Sequence, residues 1–258
     1  MLKTLITRAR QGQRTMAYPD AAPPSMPAHF RGVPKLDPTR CPDGCLDCAE
    51  ACPTEAIRVG DKAMTIDLGR CIFCPECESA CPQGAITFTT DYRLAASRRD
   101  DLIVAADAVL KLAGALDEKL RRLFGRSLKL RVVSAGDCNA CAADVNVLST
   151  IGWDIGRFGI QYVASPRHAD GLIVMGPVTQ NMRLALTKTY DAISDPKIVI
   201  AVGACAISGG IYAGHPEQSG GAASLVPVDL FIPGCPPHPL TILDGMLRLL
   251  GRIEEGAR

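Results

Sequence analysis

Cys71-Ile72-Phe73-Cys74-Pro75-Glu76-Cys77-Glu78-Ser79-Ala80-Cys81-Pro82 is the stretch on which the reading of this chain turns. Its spacing, C-x2-C-x2-C-x3-C-P, presents three thiolates from one tight loop to three irons of a [4Fe–4S] cube. The fourth cysteine leaves along the next helix and ligates a second cube. An earlier run, Cys41, Cys45, Cys48 and Cys52 with Pro53 directly after, supplies the other half. CPTEAI at 52–57 returns as CPQGAI at 81–86, as a duplicated unit would. The crossed pattern predicts Cys41, Cys45, Cys48 and Cys81 on one cluster and Cys52, Cys71, Cys74 and Cys77 on the other. Pro42, Asp43 and Gly44 separate the first two cysteines, one residue more than in the second run. A positive-φ turn at Gly44 is expected to absorb it. Pro75 removes one N–H that would otherwise be free to bond a sulfur. Zinc is the competing reading, but zinc takes cysteine pairs separated by a longer finger, not triplets followed by C-P.

Composition narrows the class. The chain has 258 residues, 47% hydrophobic and 21% charged, which excludes a disordered or fibrous protein. Its 28 basic and 27 acidic residues give a net charge of +1, so no cationic excess points to nucleic acid. The opening MLKTLITRARQGQRT lacks the apolar core and cleavage site of a secretory leader. No apolar run is long enough to span a bilayer. Twelve cysteines in such a chain signal metal or redox chemistry in a reducing compartment rather than disulfides.

Outside the two runs the sequence divides into distinct textures. Residues 1–15 place Leu2, Leu5, Ile6 and Ala9 at helical spacing among Lys3, Arg8, Arg10 and Arg14. This segment suits a membrane surface, a membrane subunit, or a helix covering the protein's own core. Residues 16–40 hold six prolines and read as an extended linker. Leu102, Ala106, Val109, Ala113, Leu116, Leu120 and Phe124 form one stripe, predicting a connecting helix over 100–125 that Gly125 stops.

After Arg126, short apolar runs alternate with helical ones, the pattern of a parallel α/β sheet. Strands are expected at Leu128–Val133, Gly171–Met175, Ile198–Val202 and Val228–Ile232, with a fifth near Ile160–Val163. Helices are expected at Ala142–Thr150, Gln180–Ile193 (capped by Thr179) and Pro239–Leu250. Cys138, Cys141, Cys205 and Cys235 then follow three of these strands by a few residues. Open parallel sheets gather ligands at the carboxyl ends of their strands, so the fold itself would bring four distant sulfurs together. Gly203, Gly209, Gly210 and Gly234 permit close backbone approach, and Pro236, Pro237 and Pro239 stiffen the last loop. Four unrelated buried cysteines are the plainer alternative.

Residues 36–92 resemble the 2[4Fe–4S] ferredoxin domain. FRGVPKLDPTRC and RCIFCPECESACPQGAITFTTDYRL are similar to the ferredoxin-type subunits of respiratory complex I and formate hydrogenlyase. DCNACAADVNVL, GIQYVASPRHADGLIVMGPV, GACAISGG and IPGCPPHP resemble the small subunit of energy-converting membrane-bound [NiFe] hydrogenases and the homologous 20 kDa cluster-bearing subunit of complex I. The resemblance implies a flavodoxin-like α/β domain at 127–258, preceded by a leading segment at 1–35, a small α+β ferredoxin domain at 36–92 and a connecting helix at 93–126. It implies a third [4Fe–4S] cluster on Cys138, Cys141, Cys205 and Cys235. Cys138-x2-Cys141 follows the hydrogenase side, because complex I uses adjacent cysteines there. Ala140 and Asp144 stand where the family carries glycine and glutamate.

The function so implied is a three-cluster electron-transfer subunit with no catalytic residues of its own. Its partners would be a large catalytic subunit, membrane-arm subunits reached through residues 1–15, and an electron donor or acceptor at the ferredoxin domain, with the assembly on the cytoplasmic side of the membrane. The alternatives are the same relay in a nickel-free or quinone-reducing complex, and a free-standing ferredoxin-type protein. Asp144 reads either as a proton carrier or as a first-turn complement to the helix dipole. His238 reads as a cluster neighbour or as loop packing, and Arg167 and His168 are implied to face the large subunit. No phosphate loop or dinucleotide fingerprint is present, so neither flavin nor NAD is expected.

Overall fold

Strand pairing around the duplicated loops organises the first half of the chain. The computed structural model describes residues 2–12, 14–60, 64–106 and 108–253. Parts of the expected leading segment, connecting helix and final domain fall on residues 1, 13, 107 and 254–258, outside that description. Helix α1 (Leu2–Gln11) comes first and buries none of its residues, so it does not cover the core. Then follow β1 (Pro34–Leu36), α2 (Asp47–Glu50), β2 (Ile57–Val59), β3 (Met64–Asp67), α3 (Glu76–Ser79), β4 (Ile86–Phe88) and β5 (Ile103–Ala105). β1 pairs antiparallel with β4, and β2-β3-β5 form a three-stranded antiparallel sheet. The sequence repeat is a spatial one: α2 leads through Cys52 to β2, and α3 leads through Cys81 to β4. Ile57, Met64, Ile66, Ile86 and Val104 pack in one core with Cys48, Cys71 and Cys77.

The stripe from Leu102 to Phe124 is not one helix. Ile103–Ala105 instead fills the open edge of β3, with Ile66 opposite Val104, and so extends the ferredoxin sheet beyond residue 92. Residues 108–116 then run without regular structure, tied by Ala113 N–H to Ala95 O (2.7 Å) and Leu116 N–H to Leu249 O (2.9 Å). Helix α4 (Glu118–Phe124) begins only after Asp117, whose carboxylate accepts Leu120 N–H. β-Branched Ile103 and Val104 suit the unpaired strand edge, and Gly114 disfavours a continuous helix through the stripe. Residues 16–40 form little regular structure apart from β1 and short turns; their end pairs with the ferredoxin half, while their start lies against the second half. Met16 N–H donates to Gly152 O (3.0 Å), and Arg157 donates to Tyr18 O (2.6 Å).

That second half contains β6 (Leu128–Ser134), α5 (Ala140–Val147), β7 (Ile160–Tyr162), β8 (Gly171–Met175), α6 (Gln180–Asp191), β9 (Ile198–Val202), α7 (Ala204–Ser208), β10 (Leu230–Ile232) and α8 (Pro239–Leu249). All five strands are parallel, in the order β7-β6-β8-β9-β10. This is the flavodoxin-like order, with its switch point between β6 and β8. Every residue of β8 and β9 is buried, as strands covered on both faces must be. The expected elements are all present with ends displaced by a few residues. The largest shift is that α5 starts two residues early, at Ala140, and ends at Val147.

The two halves are joined by more than chain. Ala96 exchanges both backbone hydrogen bonds with Phe231 (2.9 and 3.0 Å), adding an antiparallel contact to the edge strand β10. All of α8 is buried, including Asp244 and Arg248, whose side chains pair at 2.9 Å. Asp244 also accepts the Tyr18 hydroxyl at 2.7 Å. Burial, followed by the Asp244 charge, pushes the Tyr18 phenol up, so it stays protonated and donates. Breaking a buried pair leaves an uncompensated charge, which costs about 3–5 kcal/mol. Asp244→Ala is therefore expected to lose about that much stability in anaerobic thermal or urea unfolding, while leucine at both 244 and 248 loses much less.

Candidate metal centre

The fold sorts the first eight cysteines into two groups, and neither group is a run of the sequence. Cys41, Cys45, Cys48 and Cys81 line one cavity with Pro42, Met64 and Ala85. Cys52, Cys71, Cys74 and Cys77 line another, walled by Ile57, Ile66 and Phe88. The exchange follows from the two short helices. α2 carries Cys48 in one cavity and delivers Cys52 to the other, and α3 does the same with Cys77 and Cys81. The extra residue of the first run is taken up as expected. Cys45 N–H closes a turn on Pro42 O (3.1 Å), with Gly44 at φ +75°.

Backbone amides point at the sulfurs in a repeated way. Ala56 N–H donates to Cys52 Sγ and Ala85 N–H to Cys81 Sγ, both at 3.3 Å and at matching positions of the repeat. Phe73 N–H donates to Cys71 Sγ at 3.3 Å. Such bonds favour the thiolate.

The remaining four cysteines converge at the carboxyl edge of the parallel sheet. Cys138 lies just beyond β6 and Cys141 in the first turn of α5. Cys205 sits in α7 beyond β9, and Cys235 lies three residues past β10. Charge on any one of the four would be felt by the other three. Gly203 makes this approach possible. A Cβ there would stand 2.6 Å from Cys141 Sγ, on a backbone at φ +92°, and one at Gly210 would stand 2.7 Å from Cys205 Sγ. Gly203 N–H bonds Ile232 O and Ala204 N–H bonds Gly234 O, locking the two strand exits together. Cys141 is buried, Cys205 half-buried, and Cys138 and Cys235 are exposed. Cys235 also feels Cys74, so the second and third groups are neighbours across the junction of the two halves.

Burial pushes Cys71, Cys77 and Cys141 up to about 12 and Cys205 up to about 11, with neighbouring cysteines adding to the effect. Bare thiolates are unfavourable there, and cations bonded to sulfur remove the cost. Among the described residues no three Cys, His, Asp or Glu side chains stand close enough to hold a single metal ion. Tetrahedral zinc, with Zn–S near 2.3 Å, needs sulfurs roughly 3.8 Å apart. A cube does not, since each thiolate takes its own iron corner. The two dicluster cavities, with amides aimed at their sulfurs, fit iron–sulfur clusters, and the third group offers the same four-thiol donor set.

The single residues are settled by their surroundings. Asp144 lies in the second turn of α5, so the first-turn dipole role does not apply. Partial burial raises its carboxyl. His238 is loop packing: its Nδ1 accepts Leu240 N–H (3.1 Å) at the start of α8, and its ring meets Phe30 and Trp153 edge-on. Arg167 and His168 are exposed in a turn leading into the amino end of β8, at the opposite edge of the sheet from the third quartet. Sequence reasoning missed Asp137. It accepts Asn139 N–H (3.2 Å), and its charge pushes up the Cys141 and Cys205 thiols. Its position directly before Cys138 is the only signal the sequence offered.

A flavodoxin-like sheet with sulfurs at its carboxyl edge, joined to a duplicated cysteine-loop unit, defines an iron–sulfur protein of the oxidoreductase class. Residues 138–249 match the family described as NADH ubiquinone oxidoreductase, 20 Kd subunit, and residues 40–85 match the 4Fe-4S dicluster domain. The chain belongs to that 20 Kd subunit family and carries the dicluster domain in the same polypeptide. It is 40% identical over 137 residues to the probable membrane-bound hydrogenase subunit mbhJ of Pyrococcus furiosus, covering 53% of this chain and 82% of that one. It is 38% identical over 149 residues to formate hydrogenlyase subunit 7 of Escherichia coli, 58% of this chain and 57% of that one. An NADH-quinone oxidoreductase subunit of Phocaeicola vulgatus is 39% identical over 145 residues, 55% of this chain and 71% of that one. One chain of the solved membrane-bound sulfane sulfur reductase, an archaeal respiratory membrane complex, is 32% identical with a TM-score of 0.46, covering 55% of this chain and 78% of that one.

The contact at Gly203 gives a direct check on the third site. Gly203→Ala is expected to lose about four irons per chain while the two dicluster sites keep theirs, measured as iron and acid-labile sulfide after anaerobic isolation.

Proposed function

We propose that this chain is an electron relay holding three [4Fe–4S] clusters. Cys41, Cys45, Cys48 and Cys81 would hold the first, Cys52, Cys71, Cys74 and Cys77 the second, and Cys138, Cys141, Cys205 and Cys235 the third. The observation that carries the reading is the sorting of all twelve cysteines into three groups, with Cys235 of the third within electrostatic reach of Cys74 of the second. We take the order as first, second, third, because Cys235 feels a charge from the second group. When bound, the clusters supply one-electron chemistry at potentials that span about −700 to +450 mV. Each carries −2 with its thiolates, taking the chain from +1 to about −5.

Two ends of the relay meet the surface differently. At the first quartet, Leu46 is 46% exposed beside half-buried Cys45. This is the place for an electron donor or acceptor. At the third, Cys138 and Cys235 are exposed, and Ile211 and Tyr212, 55% and 48% exposed, directly follow Gly210, which abuts Cys205. An apolar rim over a cluster edge is the feature a large catalytic subunit would cover. The relatives named as subunits of membrane-bound hydrogenase and formate hydrogenlyase support a partner that makes or oxidises hydrogen; the energy-converting complex and its cytoplasmic orientation are part of the proposal. The near-equal identity to the NADH-quinone oxidoreductase relative supports a second reading, the same relay serving a nickel-free partner. Among the described residues no helix is long and apolar enough to cross a membrane, and the membrane association proposed is peripheral.

Anaerobic isolation with native partners tests both. About 12 iron and 12 sulfide per chain with stoichiometric nickel is the expected result. The same iron without nickel selects the second reading, and zinc or iron at about eight or fewer per chain overturns the three-cluster relay.

A further inference from the structure

Among the described residues, helix α1 is the long amphipathic element that buries nothing. None of its residues is buried, and Leu2, Leu5 and Ile6 are 72%, 63% and 42% exposed. At 3.6 residues per turn, Leu2, Leu5, Ile6 and Ala9 share one stripe. Lys3 and Arg10 run along one border of that stripe and Arg8 along the other. Thr4, Thr7 and Gln11 occupy the opposite face. No acidic residue precedes Asp20, and Arg14 adds a fourth cation. The helix is fastened to the body at its far end, where the Thr15 hydroxyl donates to Ile151 O (2.9 Å) and Met16 N–H to Gly152 O (3.0 Å). Ile151 itself is 75% exposed, so a further apolar side chain stands where the helix leaves the folded body.

We propose that α1 lies in the headgroup plane of an anionic lipid membrane and anchors the chain there. The apolar stripe enters the acyl boundary, and the bordering cations extend along the surface to lipid phosphates. Charge complementarity selects this occupant. The cations edge the stripe on both sides with no carboxylate among them, which matches a continuous anionic plane. A protein groove would need acids placed along both of its walls. Three aliphatic side chains are a small anchor, so binding needs both the stripe and the charges and is weakened by salt. The inference deepens the peripheral placement proposed above, but it does not depend on the iron.

Co-sedimentation of the full, cluster-loaded chain with vesicles tests it. Vesicles of phosphatidylcholine with roughly one third phosphatidylglycerol are expected to bind the chain about tenfold or more better than phosphatidylcholine alone. That preference should collapse in about 0.5 M salt. Leu5→Asp with Ile6→Asp, and separately Arg8→Glu with Arg10→Glu, should each remove the binding while leaving iron content unchanged. Equal binding to both vesicle types, or undiminished binding by the variants, overturns the proposal. So does a parent chain that ignores vesicles yet loses its hold on native membranes when α1 is altered, which assigns the helix to a membrane protein. Iron measured on each sample keeps the readings apart, since missing iron strikes the relay and missing vesicle binding strikes only the anchor.

Discussion

Four thiols gathered in a buried pocket cannot ionise together without cations, and this constraint explains more of the molecule than any other. Burial holds Cys71, Cys77 and Cys141 far above the ordinary thiol range. The surrounding backbone is nevertheless arranged for thiolates, with amides donating to Cys52, Cys71 and Cys81. A fold that aims donors at sulfurs that would otherwise stay protonated is built around bound metal. The strands of the first half are short, and Cys48, Cys71 and Cys77 are buried in the same core as their apolar side chains. Clusters bound there would be enclosed by that core.

The joining of two cysteine-bearing units would serve little if they moved independently. The Ala96–Phe231 backbone pair, the strap over 108–116 and the enclosure of α8 make them one packed body. Tyr18 from the leading segment is tied to Asp244 at the centre of that junction. Cys74 and Cys235 therefore hold a fixed relation, which electron transfer between neighbouring sites requires and a diffusing carrier does not. The buried Asp244–Arg248 pair is costly to desolvate, and its tie to Tyr18 links α8 to the leading segment.

Much of this was legible from residue order, and the exceptions have physical causes. The crossed grouping of the first eight cysteines follows from spacing alone, because a short helix after the third cysteine carries the fourth away from its own loop. The third group was legible because β6, β9 and β10 are apolar runs whose exits share one edge of the sheet. The stripe from Leu102 to Phe124 misled because its spacing suits a helix, while the edge of β3, remote in sequence, offered Ile103–Ala105 better hydrogen bonds. Asp137 and the packing of residues 16–40 depend on contacts between distant segments, which periodicity does not encode. Asp144 fell on the wrong turn because α5 starts two residues earlier than expected.

Anomalous scattering at the iron edge, from crystals grown without oxygen, addresses the central assignment most directly. Three separate compact iron groups are predicted. One should sit among Cys41, Cys45, Cys48 and Cys81, the next among Cys52, Cys71, Cys74 and Cys77, and the last among Cys138, Cys141, Cys205 and Cys235. Iron grouped by sequence run instead, or no iron signal at the carboxyl edge of the parallel sheet, would contradict the account.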